Sequence, residues 1–246
     1  LGIILKELGK LNDAETSYRQ AIALKPNYAE AYNNLGSTLE ELGKFDNAEE
    51  SYKQAILSKP DFAEAHNNLG LMYEKVSKLD YAEASYNKAI ALKSNFAEAY
   101  NNLGNTLQEL NRSDEAEASY RQAISFKPNY AEAYNNLGNV LRTSKKHKEA
   151  VYYFDLIKND FATALSLECL YISKNYTEFY KRLYSLSTLE VMNLRVAAVS
   201  TFAAHQMKKK DPYPFCPNPL DFIKINNLAD YDLCSNTLFE EIIKET

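Results

Sequence analysis

Reactive cysteines and long apolar segments are scarce in this sequence. The three cysteines, Cys169, Cys216 and Cys234, form no C-x-x-C pair, so neither a zinc site nor a disulfide framework is indicated and a reducing compartment fits best. No apolar run approaches the roughly 20 residues of a membrane-spanning helix. The nearest, residues 196–204, is short and contains polar side chains. We therefore predict a cytoplasmic protein with no membrane partner.

Clusters of catalytic or metal-binding residues are also missing. The three histidines, His66, His147 and His205, belong to no H-x-D or H-E-x-x-H pattern. Every Leu-Gly pair belongs to a repeat rather than to a phosphate-binding loop, and Cys216 has no activating neighbour in the sequence. The sequence therefore predicts no catalytic residues, no metal site and no cofactor, and we expect His66 to be a packing residue.

The charge balance argues against nucleic acid as a partner. The net charge is −5, from 28 basic and 33 acidic residues, whereas phosphate binding requires a concentrated basic face. Two short basic runs, residues 145–148 and 208–210, are expected to be solvated helix ends. Apolar residues make up 46% of the chain, which is enough to bury a globular core.

The main positive feature of the sequence is a repeat of 34 residues. Four independent features recur with this step and keep one register. They are Asn-Asn-Leu-Gly segments beginning at Asn33, Asn67, Asn101 and Asn135; Lys-Pro pairs at Lys25, Lys59 and Lys127; alanines Ala14, Ala48, Ala82, Ala116 and Ala150; and aromatic residues Tyr18, Tyr52, Tyr86, Tyr120 and Phe154. This agreement indicates a tandem array of one structural unit.

Each unit is predicted to contain two helices. Apolar residues recur at intervals of three and four, as in Ala116, Tyr120 and Ala123. A short polar residue followed three positions later by glutamate precedes both helices, which predicts capping boxes. The pairs are Asn27 with Glu30, Asp61 with Glu64, Asn95 with Glu98 and Asn129 with Glu132 for the first helix, and Asn12 with Glu15, Asp46 with Glu49, Asp80 with Glu83 and Asp114 with Glu117 for the second. Proline after the second helix is expected to stop it.

A glycine lies in the middle of each first helix, as at Gly36 and Gly104. Glycine in a helix interior costs about 1 kcal/mol relative to alanine. We therefore expect the missing side chain to let the partner helix approach closely. The alanine of the second helix is expected to face the glycine, with the aromatic residue four positions later filling the space beside it.

This pattern resembles the tetratricopeptide repeat family. The family signature is present here as Tyr32, Leu35, Gly36, Leu39, Ala48, Tyr52, Ala55 and Pro60, and the resemblance covers roughly residues 1–160. It implies an all-α fold, a solenoid in which antiparallel helix pairs stack into a right-handed superhelix. We expect C-terminal capping helices and an irregular proline-rich tail to follow the array.

The repeat pattern also predicts the domain organisation. The array is expected over residues 1–160, with a partial first repeat and then repeats at about 29–62, 63–96, 97–130 and 131–160. Because the first repeat begins in mid-unit, we expect more of the parent protein upstream. A degenerate repeat and a capping helix are expected over residues 161–210. Apolar spacing predicts two helices in the degenerate repeat, one with Leu165, Leu167, Leu170 and Tyr171 and the next with Tyr176, Phe179, Tyr180 and Leu183. The capping helix is expected to run from a capping box at Ser187 to about Lys209. Residues 211–246 are expected to form a proline-rich connector and a terminal helix.

The first helices are expected to form the inner, concave wall of the array. An asparagine amide offers two donors and one acceptor, which match a peptide unit, so one asparagine per repeat could grip an extended chain. The predicted binding residues are Asn34, Asn68, Asn102 and Asn136, supplemented by Asn33, Asn67, Asn101, Asn135, Asn105 and Asn139. The same amides could instead hydrogen-bond neighbouring helices, and the sequence leaves both roles open.

The partner expected for this wall is an extended peptide or a protein. Four glutamates, Glu40, Glu41, Glu74 and Glu109, would make one end of the groove acidic and favour a basic or neutral ligand. The sequence leaves the oligomeric state open.

Two functions fit this pattern. The chain is either a protein-interaction scaffold or the substrate-recognition arm of a larger enzyme whose catalytic domain lies outside these residues. The asparagine ladder, formed by the Asn-Asn pairs that begin at Asn33, Asn67, Asn101 and Asn135, is similar to that of the O-linked N-acetylglucosamine transferases. The stretch around Cys216 resembles the connector of proteins that join such repeats to 2-oxoglutarate- and Fe(II)-dependent oxygenases. Neither resemblance implies activity within this chain, so we predict that it is not itself an enzyme.

Overall fold

The computed structural model describes residues 1–187, 193–209 and 211. Within that part of the chain, α-helices follow one another without a strand, which confirms the predicted all-α fold. The chain divides into two compact units, Leu1–Ala133 and Tyr134–Thr246, and the boundary falls inside the repeat array.

The helices of the first unit are paired, and each pair corresponds to one repeat. Their bounds are α1 (Gly2–Glu7), α2 (Leu11–Leu24), α3 (Ala29–Glu41), α4 (Phe45–Ser58), α5 (Ala63–Lys75), α6 (Leu79–Leu92), α7 (Ala97–Glu109) and α8 (Ser113–Phe126). The two helices of a pair, such as α3 and α4, make the most extensive contact. The second helix of one pair also packs against the first helix of the next, as α4 does against α5. The predicted helical hairpins are therefore confirmed.

Tyrosine rings of the second helices lie against the glycines of the first helices. A Cβ atom added to Gly36 would lie 2.7 Å from Tyr52 Cε1, and one added to Gly70 would lie 2.6 Å from Tyr86 Cε1. The predicted close approach is confirmed, but the predicted facing residue is wrong, because the nearest group is the ring and not the alanine. Helical side chains point back toward the helix N-terminus, so the Tyr52 ring reaches over the turn that contains Ala48.

The capping boxes predicted at the helix starts are wrong by one or two residues. α3 has Tyr28 as its N-cap residue and α4 has Lys44, and neither side chain makes a capping hydrogen bond. The chain turns more tightly than predicted, because the Lys44 N–H already donates to the Leu39 carbonyl at 2.8 Å. Asp46 consequently lies in the first turn of α4, where its charge interacts favourably with the helix dipole. The later pairs begin in the same way.

Three of the four glutamates assigned to the first-helix capping boxes, Glu30, Glu64 and Glu98, pair with lysines instead, and Glu132 accepts a hydrogen bond from Asn101. Lys93 Nζ lies 2.9 Å from Glu64 Oε1, and Lys127 Nζ lies 2.6 Å from Glu98 Oε1. Lys93 also lies over the Phe96 ring, 4.5 Å from its centroid. The hydrogen bond from Lys93 holds the pKa of the Glu64 carboxyl below its ordinary value, although burial opposes this shift. These contacts tie the turn that follows each second helix to the start of its own first helix.

One turn position has a left-handed backbone in each pair of the first unit. Gly9 and Gly43 occupy it with φ of 72° and 73°, and Ser77 and Asn111 occupy it with φ of 57° and 60°. We expect Ser77→Gly to raise the free energy of unfolding by about 0.5–1 kcal/mol, because glycine has no Cβ to strain in this conformation. Urea denaturation followed by circular dichroism measures this change. The reciprocal variant Gly43→Ser is the matched control, and an increase in its stability would contradict the prediction.

The second unit contains most of α9 and all later helices. Their bounds are α9 (Ala131–Thr143), α10 (His147–Ile157), α11 (Asp160–Ile172), α12 (Tyr176–Ser187) and α13 (Leu194–Gln206). The glycine contact recurs here, since a Cβ added to Gly138 would lie 2.6 Å from Phe154 Cε1. α11 and α12 are the two helices expected from the apolar spacing after residue 160, and both bury apolar side chains, such as Leu167 and Phe179.

The last described helix does not begin where it was predicted. Ser187 is the final residue of α12, and α13 begins at Leu194 behind Asn193. The long helix expected from Ser187 is therefore wrong. The Asn193 side chain accepts hydrogen bonds from the backbone N–H groups of Arg195 and Val196, and this cap sets the start of α13. α13 packs against α11.

Several predicted elements lie outside the described residues. They are the rest of the capping box after Ser187, the proline-rich connector beyond residue 211 and the terminal helix. Asp211 itself is described, and its carboxylate accepts hydrogen bonds from the Ser200 and Thr201 hydroxyls of α13. The connector and the terminal helix stay predictions.

Candidate functional site

The first helices of the first unit lie side by side. α3 contacts α5, and α5 contacts α7, whereas the second helices of successive pairs approach each other less closely. Helices that lie closer together form the inside of a curved stack. The face formed by α1, α3, α5 and α7 is therefore the inner one, and it carries the predicted asparagines of this unit.

The first asparagine of each Asn-Asn pair is buried between helices. Asn33, Asn67 and Asn101 are only 9%, 7% and 0% exposed. Little of these side chains is therefore left for a ligand to contact. A buried amide needs hydrogen-bond partners within the protein, because burial without them costs free energy.

For Asn33 and Asn67 the second asparagine of the next pair supplies that partner, whereas Asn101 Nδ2 donates to Glu132 Oε1 at 2.9 Å. Asn68 Nδ2 donates to Asn33 Oδ1 at 3.0 Å, and Asn102 Nδ2 donates to Asn67 Oδ1 at 3.1 Å. Each bond joins two successive first helices, from α3 to α5 and from α5 to α7. The donors Asn68 and Asn102 are only half-buried, so part of each residue stays at the surface of the face. The structure thus gives these asparagines a role between helices and leaves one of them per repeat partly exposed.

The remaining predicted asparagines have different surroundings. Asn34 is half-buried on α3. Asn105 Oδ1 on α7 lies 2.7 Å from Tyr120 Oη, which places it against α8. Three others, Asn135, Asn136 and Asn139, lie half-buried on α9 in the second unit. Asn34, Asn68 and Asn102 are therefore the predicted residues that the first unit places in equivalent, partly exposed positions.

Charged residues near the ends of the first helices pair across repeats. Lys6 Nζ lies 2.9 Å from Glu41 Oε1, and Lys75 Nζ lies 2.5 Å from Glu40 Oε1. Two of the four glutamates expected to make the groove acidic are therefore neutralised by lysines of the chain.

Glu74 has a different environment from Glu40. Its Oε2 accepts hydrogen bonds from Tyr86 Oη at 2.9 Å and from Thr106 Oγ1 at 3.2 Å, both neutral donors. Burial raises the pKa of the Glu74 carboxyl above its ordinary value, and the nearby Glu109 carboxylate raises it further. The acidic part of this face is consequently concentrated at Glu74 and Glu109.

Sequence reasoning missed the tyrosine hydroxyls of the second helices. In three pairs the hydroxyl donates to a side chain at the end of the first helix of the same pair. These bonds join Tyr52 to Glu40 at 3.0 Å, Tyr86 to Glu74 at 2.9 Å and Tyr120 to Gln108 at 2.7 Å. The donor follows its acceptor by 12 residues each time, so the regular spacing was a usable signal.

His66 and Cys169 lie in partly or fully buried surroundings. Among residues 1–187, 193–209 and 211, no group of three histidine, cysteine or acidic side chains could hold a metal ion. His66 is half-buried, and burial lowers its pKa. Burial also raises the pKa of the Cys169 thiol to about 12, which keeps it protonated at neutral pH. No described helix has the length and apolar character required to span a bilayer.

Comparison with solved structures finds similar helical arrays. MamA matches with a TM-score of 0.58 and 29% identity, over 64% of this chain and 92% of the MamA chain. YrrB, described as a TPR protein with an unusual peptide-binding site, matches with a TM-score of 0.61 and 18% identity, over 78% of this chain and 97% of its own. PilF of Pseudomonas aeruginosa matches with a TM-score of 0.67 and 16% identity, over 92% and 95%. The last two identities support similarity of fold alone.

Sequence comparison identifies the repeat itself. No curated protein matches the chain significantly. A family model described as TPR repeat matches residues 2–43, and models described as tetratricopeptide repeat match residues 29–62, 63–96, 97–130 and 119–152. Three of these segments have the boundaries predicted from the 34-residue period. The resemblances to glycosyltransferase and oxygenase-linked proteins stay predictions. Because the matches extend over more than half of the 246 residues, the chain belongs to the tetratricopeptide repeat family.

Proposed function

We propose that the chain is a protein-interaction scaffold that binds an extended peptide along the first helices of its first unit. The observation that carries this proposal is the row of partly exposed asparagines, one per repeat, at Asn34, Asn68 and Asn102. Neighbouring helices pack about 8–10 Å apart, and an extended peptide advances about 3.3 Å per residue. One amide can therefore meet roughly every third peptide unit of the ligand.

The charges of this face indicate the chemistry of the ligand. Lys6 and Lys75 each pair with one glutamate of this face. Glu74 and Glu109 lie near each other, so a positive charge of the ligand would offset the repulsion between their carboxylates. We therefore propose that the ligand places a lysine or arginine opposite this pair, with neutral residues on either side. The peptide-binding site named for YrrB, which has the same fold, is compatible with this proposal.

The test begins with a displayed library of random peptides of about nine residues, enough to span the first helices of the first unit. Peptides are selected on the full 246-residue chain, and the affinity of an enriched peptide is measured by calorimetry. We expect enriched sequences to contain basic residues and to bind less tightly at high salt.

Two alanine variants separate a binding role from a structural one. Asn33→Ala and Asn68→Ala remove the same hydrogen bond. Each is expected to lower the free energy of unfolding by about 1–2 kcal/mol, because Asn68→Ala leaves the buried Asn33 amide without this partner and Asn33→Ala leaves the half-buried Asn68 amide without it. Only Asn68→Ala also removes an amide from the exposed face, so only this variant is expected to weaken peptide binding. Equal affinity of the two variants would show that the ladder is structural and would refute the proposed contact.

The alternative function, a substrate-recognition arm of a larger enzyme, uses the same face. It predicts the same dependence on Asn68 and differs in requiring a catalytic domain elsewhere in the parent protein. The sequence of the parent gene on both sides of these residues distinguishes the two functions.

A further inference from the structure

Ion pairs between successive first helices follow a regular step. Lys6 with Glu41, and Glu40 with Lys75, each join a residue near the end of one first helix to the residue 35 positions later on the next. The same step from Glu74 leads to Glu109. At the α5–α7 junction the position of an ion pair is therefore occupied by two carboxylates.

The groups that face Glu74 come from every neighbouring helix. α6 contributes the Tyr86 hydroxyl, and α7 contributes the Thr106 hydroxyl together with the Glu109 carboxylate. From α8, Tyr120 lies near enough for its pKa to be raised by Glu74 as well as by burial. On the side of α3, Glu40 is the charged neighbour, and Lys75 of α5 bonds to Glu40 rather than to Glu74.

The Thr106 hydroxyl shows how the junction adjusts to this arrangement. Its counterpart two repeats earlier in the array bonds within its own helix, because Thr38 Oγ1 donates to the Asn34 carbonyl at 2.8 Å. Thr106 Oγ1 donates across the junction to Glu74 instead. The neutral Thr106 hydroxyl therefore contacts Glu74 where Lys75 contacts Glu40. Because a hydroxyl carries no charge, it does not offset the repulsion between the Glu74 and Glu109 carboxylates.

We propose that the α5–α7 junction is a pH-sensitive joint of the array, loosened by repulsion between Glu74 and Glu109 at neutral pH and tightened when Glu74 takes up a proton. The hydrogen bond between Asn67 and Asn102 spans the same junction. Closer packing of α5 against α7 therefore also keeps this bond of the asparagine ladder in place. This device does not depend on the proposed ligand.

The direction of the pH effect follows from the site. Burial and Glu109 raise the pKa of the folded-state Glu74 carboxyl above its value in an unfolded chain. Its contribution to stability is therefore fully present below the unfolded-state pKa and is lost as the pH rises through the folded-state pKa. The junction is accordingly most protected in mild acid and least protected at neutral pH.

The test uses hydrogen–deuterium exchange of the full 246-residue chain, read by mass spectrometry on peptides of α5 and α7 and corrected for intrinsic exchange rates. Glu74→Gln keeps an acceptor for Tyr86, as Gln108 does for Tyr120. At about pH 7.5 we expect Glu74→Gln to raise the protection of α7 by about three- to fivefold, and we expect this difference from the unchanged chain to shrink as the pH is lowered.

Two further variants make the result decisive. Glu109→Lys changes an exposed residue and restores the ion-pair step, so it is expected to raise protection at neutral pH and to remove the loss of protection that the unchanged chain shows between mild acid and neutral pH. The matched control Glu40→Gln breaks the pair with Lys75 and is expected to lower protection at the α3–α5 junction. The proposal is overturned if Glu74→Gln lowers protection at neutral pH, or if neither Glu74→Gln nor Glu109→Lys changes it.

Discussion

Replacing Gly104 by alanine is expected to lower the free energy of unfolding by about 2 kcal/mol, although alanine is the better helix former by about 1 kcal/mol. The added Cβ would lie 2.5 Å from Tyr120 Cε1 and 2.8 Å from Cδ1, well inside van der Waals contact. Tyr120 is fully buried, and its hydroxyl is held by Asn105 and Gln108, so the ring has little room to move. Urea denaturation followed by circular dichroism measures the difference in midpoint and slope.

A double-variant cycle tests the cause of this loss. Tyr120→Leu removes the ring edge that meets the new Cβ, so Gly104→Ala is expected to be less damaging in the Tyr120→Leu background than in the unchanged chain. Additive losses would show that the two residues do not interact. A Gly104→Ala variant as stable as the unchanged chain would show that helix propensity outweighs the contact, and close approach of the ring would then not explain the glycine at this position.

Replacing Glu168 by alanine is expected to lower the stability of the second unit by about 3 kcal/mol. Arg142 Nη1 lies 3.0 Å from Glu168 Oε1, and the two side chains are only 18% and 8% exposed. Removing the carboxylate leaves the Arg142 guanidinium buried without this partner, and Arg142 Nε has no hydrogen-bond partner among the described residues. Thermal unfolding by scanning calorimetry, with exchange protection of α9 and α11, measures the loss.

An apolar double variant separates the value of this pair from the cost of breaking it. Arg142→Met with Glu168→Leu removes both charges and retains similar volume, so its stability is expected to lie close to that of the unchanged chain. The contrast with Glu168→Ala is the informative quantity. If Glu168→Ala alone changes stability by less than about 0.5 kcal/mol, the pair behaves as a surface ion pair and the prediction fails.

The helices of this protein were predictable because their signals are local. Apolar residues at intervals of three and four define one packed face, and they act within a few turns of the chain. The 34-residue period then located the segments 29–62, 63–96 and 97–130, which the family models match with the same boundaries. The spacing after residue 160 was weaker, yet it still indicated α11 and α12.

Helix starts were less predictable because several residues compete for the same turn. The short polar residues Asn27 and Asp46 both suit an N-cap, yet the structure uses Tyr28 and Lys44. The length and tightness of the preceding turn decide which residue stands at the start, and these depend on how the two helices pack. At α13, by contrast, the N-cap residue is an asparagine, Asn193, and its side chain does cap the helix.

From the residues alone follow the helical hairpin, its period, the family and the face on which the asparagines lie. The partner of each polar side chain was decided only by tertiary structure. Asn33 pairs with Asn68, and Glu74 lies near Glu109. The two residues of each pair are 35 positions apart in the sequence, so the distance between their side chains depends on the rotation and spacing of neighbouring helices. Hydrogen bonds and charge pairs are sensitive to distances of less than an ångström, so a pattern of spacing cannot specify them. Stacking of the repeats sets those distances, and it made the asparagine ladder a link between helices as well as a candidate site.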